Sequence, residues 1–233
     1  MHPAPAAPTA PTLDHLVVMA TNLDDGVAWC EATLGVTPGP GGEHPLMGTH
    51  NRLLKIATPD FLTAYLEIIA INPVAASPLP ARARRWFDMD DPALKARVAQ
   101  LGPALVHAVV SVTDIRTAVA ALGAQGLDRG EVLQASRPTD RGLLQWQITV
   151  RPDGQRLFDG CLPTLIQWGP THPTDHMPAS GVTLHSLRVQ HPQADTLRAA
   201  YRGTGWTTQA VDTGAPRLIA TLQTPKGLIE ITT

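Results

Sequence analysis

Three short apolar strands of one design recur along the chain, each with a histidine near its start. They are LDHLVVMA from Leu13, LVHAVVSV from Leu105 and TLHSLRVQ from Thr183, carrying His15, His107 and His185. Such recurrence constrains the fold strongly, because a supersecondary unit that cannot bury its apolar face alone must stack on its copies. A helix-like stretch follows each strand. In the first, Asn22 or Asp24 caps a helix in which Val27, Cys30 and Leu34 share a face, and Gly35 stands at its stop. In the second, Asp114 precedes Ile115, Val119 and Leu122 at helical spacing; in the third, Gln193 to Tyr201 leads into Gly203. Each unit then closes with a strand, a turn carrying Pro with Asp or Gly, and another strand, from Asn51, Leu143 and Pro216 respectively. The closing strands bear Glu67, Gln167 and Glu230.

Between the first two units a further helix is expected, with Asp91 as cap, Pro92 in the first turn, Leu94, Val98 and Leu101 as the buried stripe, and Gly102-Pro103 as the stop. The Pro-rich segment before it clusters Arg82, Arg84 and Arg85 ahead of Trp86 and Phe87. It reads either as a solvated connector or as a flap whose cations meet an anionic substrate. The division that follows is a Pro/Ala-rich disordered tail over 1–12, a first module over 13–73, a connector with helix over 74–103, a second module over 104–173, and a third, partial βαββ unit over 174–233 packed on the same domain.

Charge excludes some functions. With 18 Lys and Arg against 20 Asp and Glu, a net charge of −2 offers no bulk field for nucleic acid or an anionic membrane. No apolar run reaches the roughly 18 residues of a spanning helix. Two cysteines, Cys30 and Cys161, make no disulfide framework, so a reducing cytoplasm is the expected location. Nucleophile-elbow, phosphate-loop, dinucleotide and Cys-x-x-Cys signatures are missing from the chain, which counts against hydrolase, nucleotide and dithiol chemistry.

Strand alternation puts Leu13, His15, Val17 and Met19 on one face, and Tyr65, Glu67 and Ile69 on one face of a closing strand. A glutamate among Leu66, Ile68 and Ile69 is costly to bury without compensation, so His15 and Glu67 are natural partners, pairing with each other or sharing a metal. His107 offers a third ligand if the units pack edge to edge. Two imidazoles and a carboxylate suit Fe, Mn, Ni, Co or Zn and leave coordination positions open for a substrate with two neighbouring oxygens. His172 and His176 sit four apart, but Pro173 and Pro178 make a surface loop the better reading.

The run GGEHPLMGTHNRLLKI followed by YLEIIAINP, after the opening LDHLVV, resembles the glyoxalase-like branch of the vicinal oxygen chelate superfamily. So do LVHAVVSVTDI, GLLQWQITVRPDG and LPTLIQWGPTHP, and together they span nearly everything after the tail. The resemblance implies an α+β fold of paired βαβββ modules forming a curved, U-shaped mixed sheet with helices outside and a metal-dependent site in the cleft. Carried over, the metal ligands are His15, Glu67, His107 and Gln167, with a divalent Zn, Ni, Fe, Mn or Co ion and Glu67 as catalytic group. Gln167 departs from the pattern, since an amide coordinates without adding charge. The resemblance also sets the loop from Gly41 to Asn51 at the cleft rim, which makes His44, His50 and Asn51 candidate substrate contacts. Trp146 and Trp168 fit pocket walls or core. His185 and Glu230 belong to a half-repeat that covers the sheet.

The expected function is that of a metal-dependent lyase, isomerase or dioxygenase acting on a small substrate that chelates through two adjacent oxygens. The alternative is a metal-free small-ligand binding or sequestering protein of the same fold. The expected partner is a small molecule rather than nucleic acid or membrane, and the reading allows a homodimer.

Overall fold

A computed structural model of the chain describes residues 10–75, 83–139 and 142–233. The tail expected over 1–12 falls outside these as far as residue 9, as does Arg82. The first unit runs β1 (Thr12–Met19), α1 (Leu23–Leu34), a short β2 (Glu43–His44), β3 (Thr49–Lys55) and β4 (Tyr65–Ile71). α2 (Pro92–Leu101) leads to the second, built of β5 (Ala104–Ser111), α3 (Ile115–Gly123), β6 (Glu131–Thr139), β7 (Gly142–Val150) and β8 (Thr164–Trp168). The third consists of β9 (Thr183–Gln190), α4 (Ala194–Thr204), β10 (Val211–Asp212), β11 (Arg217–Thr224) and β12 (Gly227–Thr232).

The fold is mixed α+β, as the resemblance implies. One eight-stranded sheet, ordered β2-β3-β4-β1-β5-β8-β7-β6, curls into a half-barrel. In each of the first two units the first strand pairs parallel with the last, and the two units join where β1 meets β5 antiparallel. That junction is reciprocal: His15 lies opposite Val109 and Val17 opposite His107, so a local two-fold axis exchanges the two histidines. The third unit forms its own sheet, ordered β10-β9-β11-β12. It does cover the main sheet, with Leu184, Val189, Leu218 and Leu222 packed in one cluster with Leu16, Val18, Leu66 and Ile68. Its ladder is its own, with β9 parallel to the short β10 and antiparallel to β11.

Local chemistry explains the helices. Asn22 caps α1 by accepting from the Asp25 amide, Asp91 caps α2 through Leu94, and Asp114 caps α3 through Arg116 and Thr117. Gly35 ends α1 at φ 77°, a left-handed position that suits glycine. Three details differ from expectation. The buried face of α1 is Gly26, Cys30 and Leu34 rather than one containing Val27, because contact with β4 selects the i, i+4, i+8 row. Leu101 is 75% exposed, since α2 ends at the surface. α4 runs through Gly203 to a left-handed Gly205.

The larger departure lies in β1. Between Leu13 and His15 the register against β5 slips, and Asp14 has no partner residue. This bulge moves Leu13 into the outer core with Leu16 and Val18, whereas Val17 and Met19 belong to the inner-face cluster. The expected alternation therefore holds only from His15 onward. Among the described residues no helix is long and apolar enough to cross a membrane.

A Cβ added to Gly26 would lie 2.5 Å from Ile68 Cγ2 and 3.2 Å from Ala20 Cβ. Gly26→Ala should therefore force α1 off the sheet and cost about 1–3 kcal/mol despite its better helix propensity. Thermal denaturation checks this: a melting temperature lowered by at least about 2 °C is expected, and an unchanged or raised value would mean that α1 is not seated so closely.

Candidate functional site

The bulge at Asp14 is what builds the site. It leaves the Asp14 carboxylate wholly buried, where an ion needs donors for its lone pairs. Three supply them: His15 Nδ1 at 2.7 Å, Trp168 Nε1 at 2.8 Å and His172 Nε2 at 3.1 Å. Burial alone would raise the Asp14 pKa, but His172 and His15 outweigh it and hold the carboxyl well below the usual range. With Nδ1 given to Asp14, the His15 ring stacks on Tyr65 (centroids 4.6 Å apart) and turns Nε2 toward Glu67 Oε2 at 3.6 Å. Burial, with Asp14 and Glu67 close by, pushes the Tyr65 phenol well above its ordinary value, so it stays protonated.

Glu67 is held from the other side. Asn51 Nδ2 donates to Glu67 Oε1 at 2.6 Å and lies 3.3 Å from His44 Nε2, while His44 Nε2 and Glu67 Oε1 are 3.8 Å apart. The amide orientation is set by the glycine loop: the Gly42 amide donates to Asn51 Oδ1 at 2.8 Å, and the Asn51 amide donates to Gly42 O at 3.0 Å. A side chain at Gly41 would collide with the Asn51 oxygens at 2.1 and 2.3 Å, so glycine is required there. His44 also contacts Thr49 Oγ1 at 3.1 Å. Burial lowers the pKa of His44 to about 4 against the opposing pull of Glu67, leaving a neutral imidazole.

Around this cluster is a cleft walled by Trp86, Trp146 and Trp168 and bordered by Arg137. Arg137 is half-buried and, among the described residues, has no hydrogen bond or ion pair. Of the expected residues the fold brings His15, Glu67, His44, Asn51 and Trp146 to this cleft. Others lie elsewhere. His50 alternates to the opposite face of β3 from Asn51, beside Glu43. Gln167 points outward, its Oε1 accepting from the Ile115 amide at the start of α3. His107 occupies the inner face, but its Nδ1 is spent on Gly160 O and its Nε2 on the Thr164 amide and hydroxyl. His185 and Glu230 are exposed on the third sheet, the latter paired with Arg188. Arg85 is paired with Asp90 at 2.6 Å and does not face the cleft.

Sequence reasoning misplaced one ligand by register and missed four residues. Val17 faces Glu67 in the first module, and its counterpart Val109 faces Thr164 in the second, so Thr164, three residues before Gln167, is the true counterpart of Glu67. Asp14, Tyr65, His172 and Arg137 went unrecognised as site residues. For His172 the neighbouring prolines gave a usable signal, because His172 caps a turn over Pro173–Asp175 that fixes its ring against Asp14.

This geometry bears on the metal that the resemblance implies. Two of its four expected ligands, His107 and Gln167, are committed to the protein's own backbone. The place between Glu67 Oε1 and His44 Nε2 is taken by the Asn51 amide nitrogen, which donates to the carboxylate from the position a cation would occupy. Among the described residues no group of three or more His, Cys, Asp or Glu side chains is arranged to hold a metal ion. The residues present do not fit a divalent ion.

The depressed His44 pKa has a consequence for stability. Below about pH 6.5 the unfolded chain takes up a proton that the folded chain refuses until about pH 4, so stability must fall as pH drops through that window. The loss should reach about 3 kcal/mol, with buried His107 acting in the same direction. Urea midpoints at pH 7 and pH 4.5 measure it, and His44→Asn should flatten the dependence. An equal slope in wild type and variant would contradict the assignment.

A hypothetical protein from Staphylococcus aureus superposes with a TM-score of 0.57 at 15% identity, over 95% of this chain and 85% of that one. A methylmalonyl-CoA epimerase variant from Streptomyces coelicolor gives 0.43 at 16% identity, over 70% of this chain and 99% of that one. A hypothetical protein from Bacillus halodurans gives 0.40 at 16% identity, over 70% and 96%. At such identities the first likeness is one of fold alone, and the other two are weaker. No curated protein matches the sequence. The model of the glyoxalase-like domain family matches residues 13–205. That span holds both βαβββ modules and every cleft residue named above, and the chain belongs to the glyoxalase-like domain family.

Proposed function

We propose that the cleft is a metal-independent proton-transfer centre acting on a small organic anion, in a lyase or isomerase type of reaction. The observation that carries this reading is the His15–Glu67 pair. Asp14 takes the proton on Nδ1, so Nε2 and Glu67 Oε2, 3.6 Å apart in a buried wall, face each other as two acceptors with room for one proton from a substrate. A substrate C–H or O–H lying at that gap gives its proton to Glu67 Oε2; the same proton passes across the gap to His15 Nε2, with Asp14 balancing the charge, and returns from there to another atom or face of the substrate. Asn51 keeps Oε1 occupied and so leaves Oε2 as the reacting oxygen. Arg137, uncommitted to any described acid, supplies a positive end for the substrate's anionic group, and the indole walls exclude water from the rest. General acid–base catalysis of this kind contributes about 10²–10⁴ in rate.

The second reading is a metal-free binding protein, favoured by the three indoles that surround the cluster. The two readings part on chemistry. Small 2-oxo and 2-hydroxy carboxylates incubated with protein in D₂O, followed by proton NMR, should lose the acidic C–H signal, and Glu67→Gln should slow that loss by about 100-fold or more while keeping its melting temperature. Carboxylates that raise the melting temperature without exchange would support binding instead. Chelator-treated protein should exchange at the full rate; loss on chelation with recovery in Zn, Ni, Fe, Mn or Co would overturn the metal-independent reading and return the divalent-ion one.

Arg137 makes a separate prediction. Arg137→Met should raise KM for anionic substrates by at least about tenfold with little change in kcat, because it removes binding present in ground and transition states alike. An equal loss on an uncharged ester analogue would show that its role is structural.

A further inference from the structure

The local two-fold that relates His15 to His107 relates Glu67 to Thr164, so the second module has its own counterpart of the first module's cluster. In it the carboxylate is lost and an arginine is gained. Arg129 is 2% exposed, and its Nη2 donates to Thr164 Oγ1 at 2.6 Å. Its Nε and Nη1 are buried with no acceptor among the described residues, and the same holds for Trp86 Nε1. Both side chains line one small cavity behind Phe87, together with Arg151, His107, Thr149 and Thr164. None of its described lining residues is acidic. The carboxylates closest by, Asp128 and Asp153, are drawn to Arg151, the latter at 2.6 Å.

A buried guanidinium does not resolve this by losing its proton. Burial and Arg151 lower its pKa only to about 10, so it is cationic at neutral pH. His107 offers it nothing, both ring nitrogens being committed. Burial of an unpaired charge costs several kcal/mol, and what the cavity lacks is a negative charge with room to accept from several donors. The space it leaves for the centre of a water-sized group is about 10 Å³, room for one water or one small ion. We infer that this cavity is a binding site for one small inorganic monoanion, chloride or an ion of its size, held by Arg129 Nε and Nη1 and by Trp86 Nε1. The anion sits behind the cleft wall: Trp86 and Phe87 border both spaces, and Phe87 and Asp88 are kept in left-handed conformations (φ 58° and 56°) while Asp88 pairs with Arg156 at 2.9 Å.

Desalted full-length protein is titrated with sodium chloride or bromide at constant ionic strength, with gluconate as the balancing anion too large to enter. The melting temperature should rise saturably, by about 3–6 °C at ten times Kd, and Trp86 should report binding as a change in fluorescence. Arg129→Met, which removes the charge while filling its volume, should show no chloride-dependent rise. A wild-type response equal in chloride and gluconate, or an undiminished rise in Arg129→Met, overturns the proposal. If that variant fails to fold, wild-type crystals soaked in bromide decide: an anomalous peak between Arg129 and Trp86 supports it, and water alone at that place refutes it.

Discussion

Taking a carboxylate wholly out of water is tolerated only when donors surround it, and Asp14 draws its three from parts of the chain far apart: His15 beside it, Trp168 on the last strand of the second module, and His172 in the turn beyond. The same contacts therefore tie the first module to the second and orient the imidazole that meets Glu67. A bulge in β1 is what lets Asp14 and His15 act together, since strict alternation would send them to opposite faces of the sheet. Structural junction and site are one network.

The two modules share a backbone plan but differ in charge. Around the β1–β5 junction, His15 faces a glutamate backed by Asn51, whereas His107 faces a threonine backed by a buried arginine. The first arrangement presents acceptors to the cleft, and the second presents donors to a small cavity behind it. A four-ligand site built equally from both halves is not available to such a chain, because the second half has spent its histidine internally. The glycine loop before β3 completes the asymmetry by seating Asn51 where it donates to Glu67.

Much of the fold was legible beforehand because it rests on local rules. The repeated strands, the caps Asn22, Asp91 and Asp114, and the stop at Gly35 follow from near-neighbour hydrogen bonding and periodicity, which act over a few residues. Glu67 and His15 were likewise legible, since a buried acid among apolar neighbours needs a partner, whereas His44 and Asn51 were named only through the resemblance that sets their loop at the cleft rim. Gln167 misled because it was matched to Glu67 by unit ends, and the differing loops hid a three-residue offset that turns a side chain to the other face. His107 was credited with a free lone pair that packing had already assigned.

What the chain's order of residues determined alone is a set of elements and their apolar faces: strand, helix and hairpin, recurring with a histidine at each start. What only the tertiary structure decided is which polar atoms meet. The bulge at Asp14, the approach of His172 from 158 positions away, the unpaired Arg137 and the stranded donors of Arg129 depend on strand register and on long-range contact. Hydrogen bonds and charges act over a few ångströms in space, and distance along the chain carries no record of them.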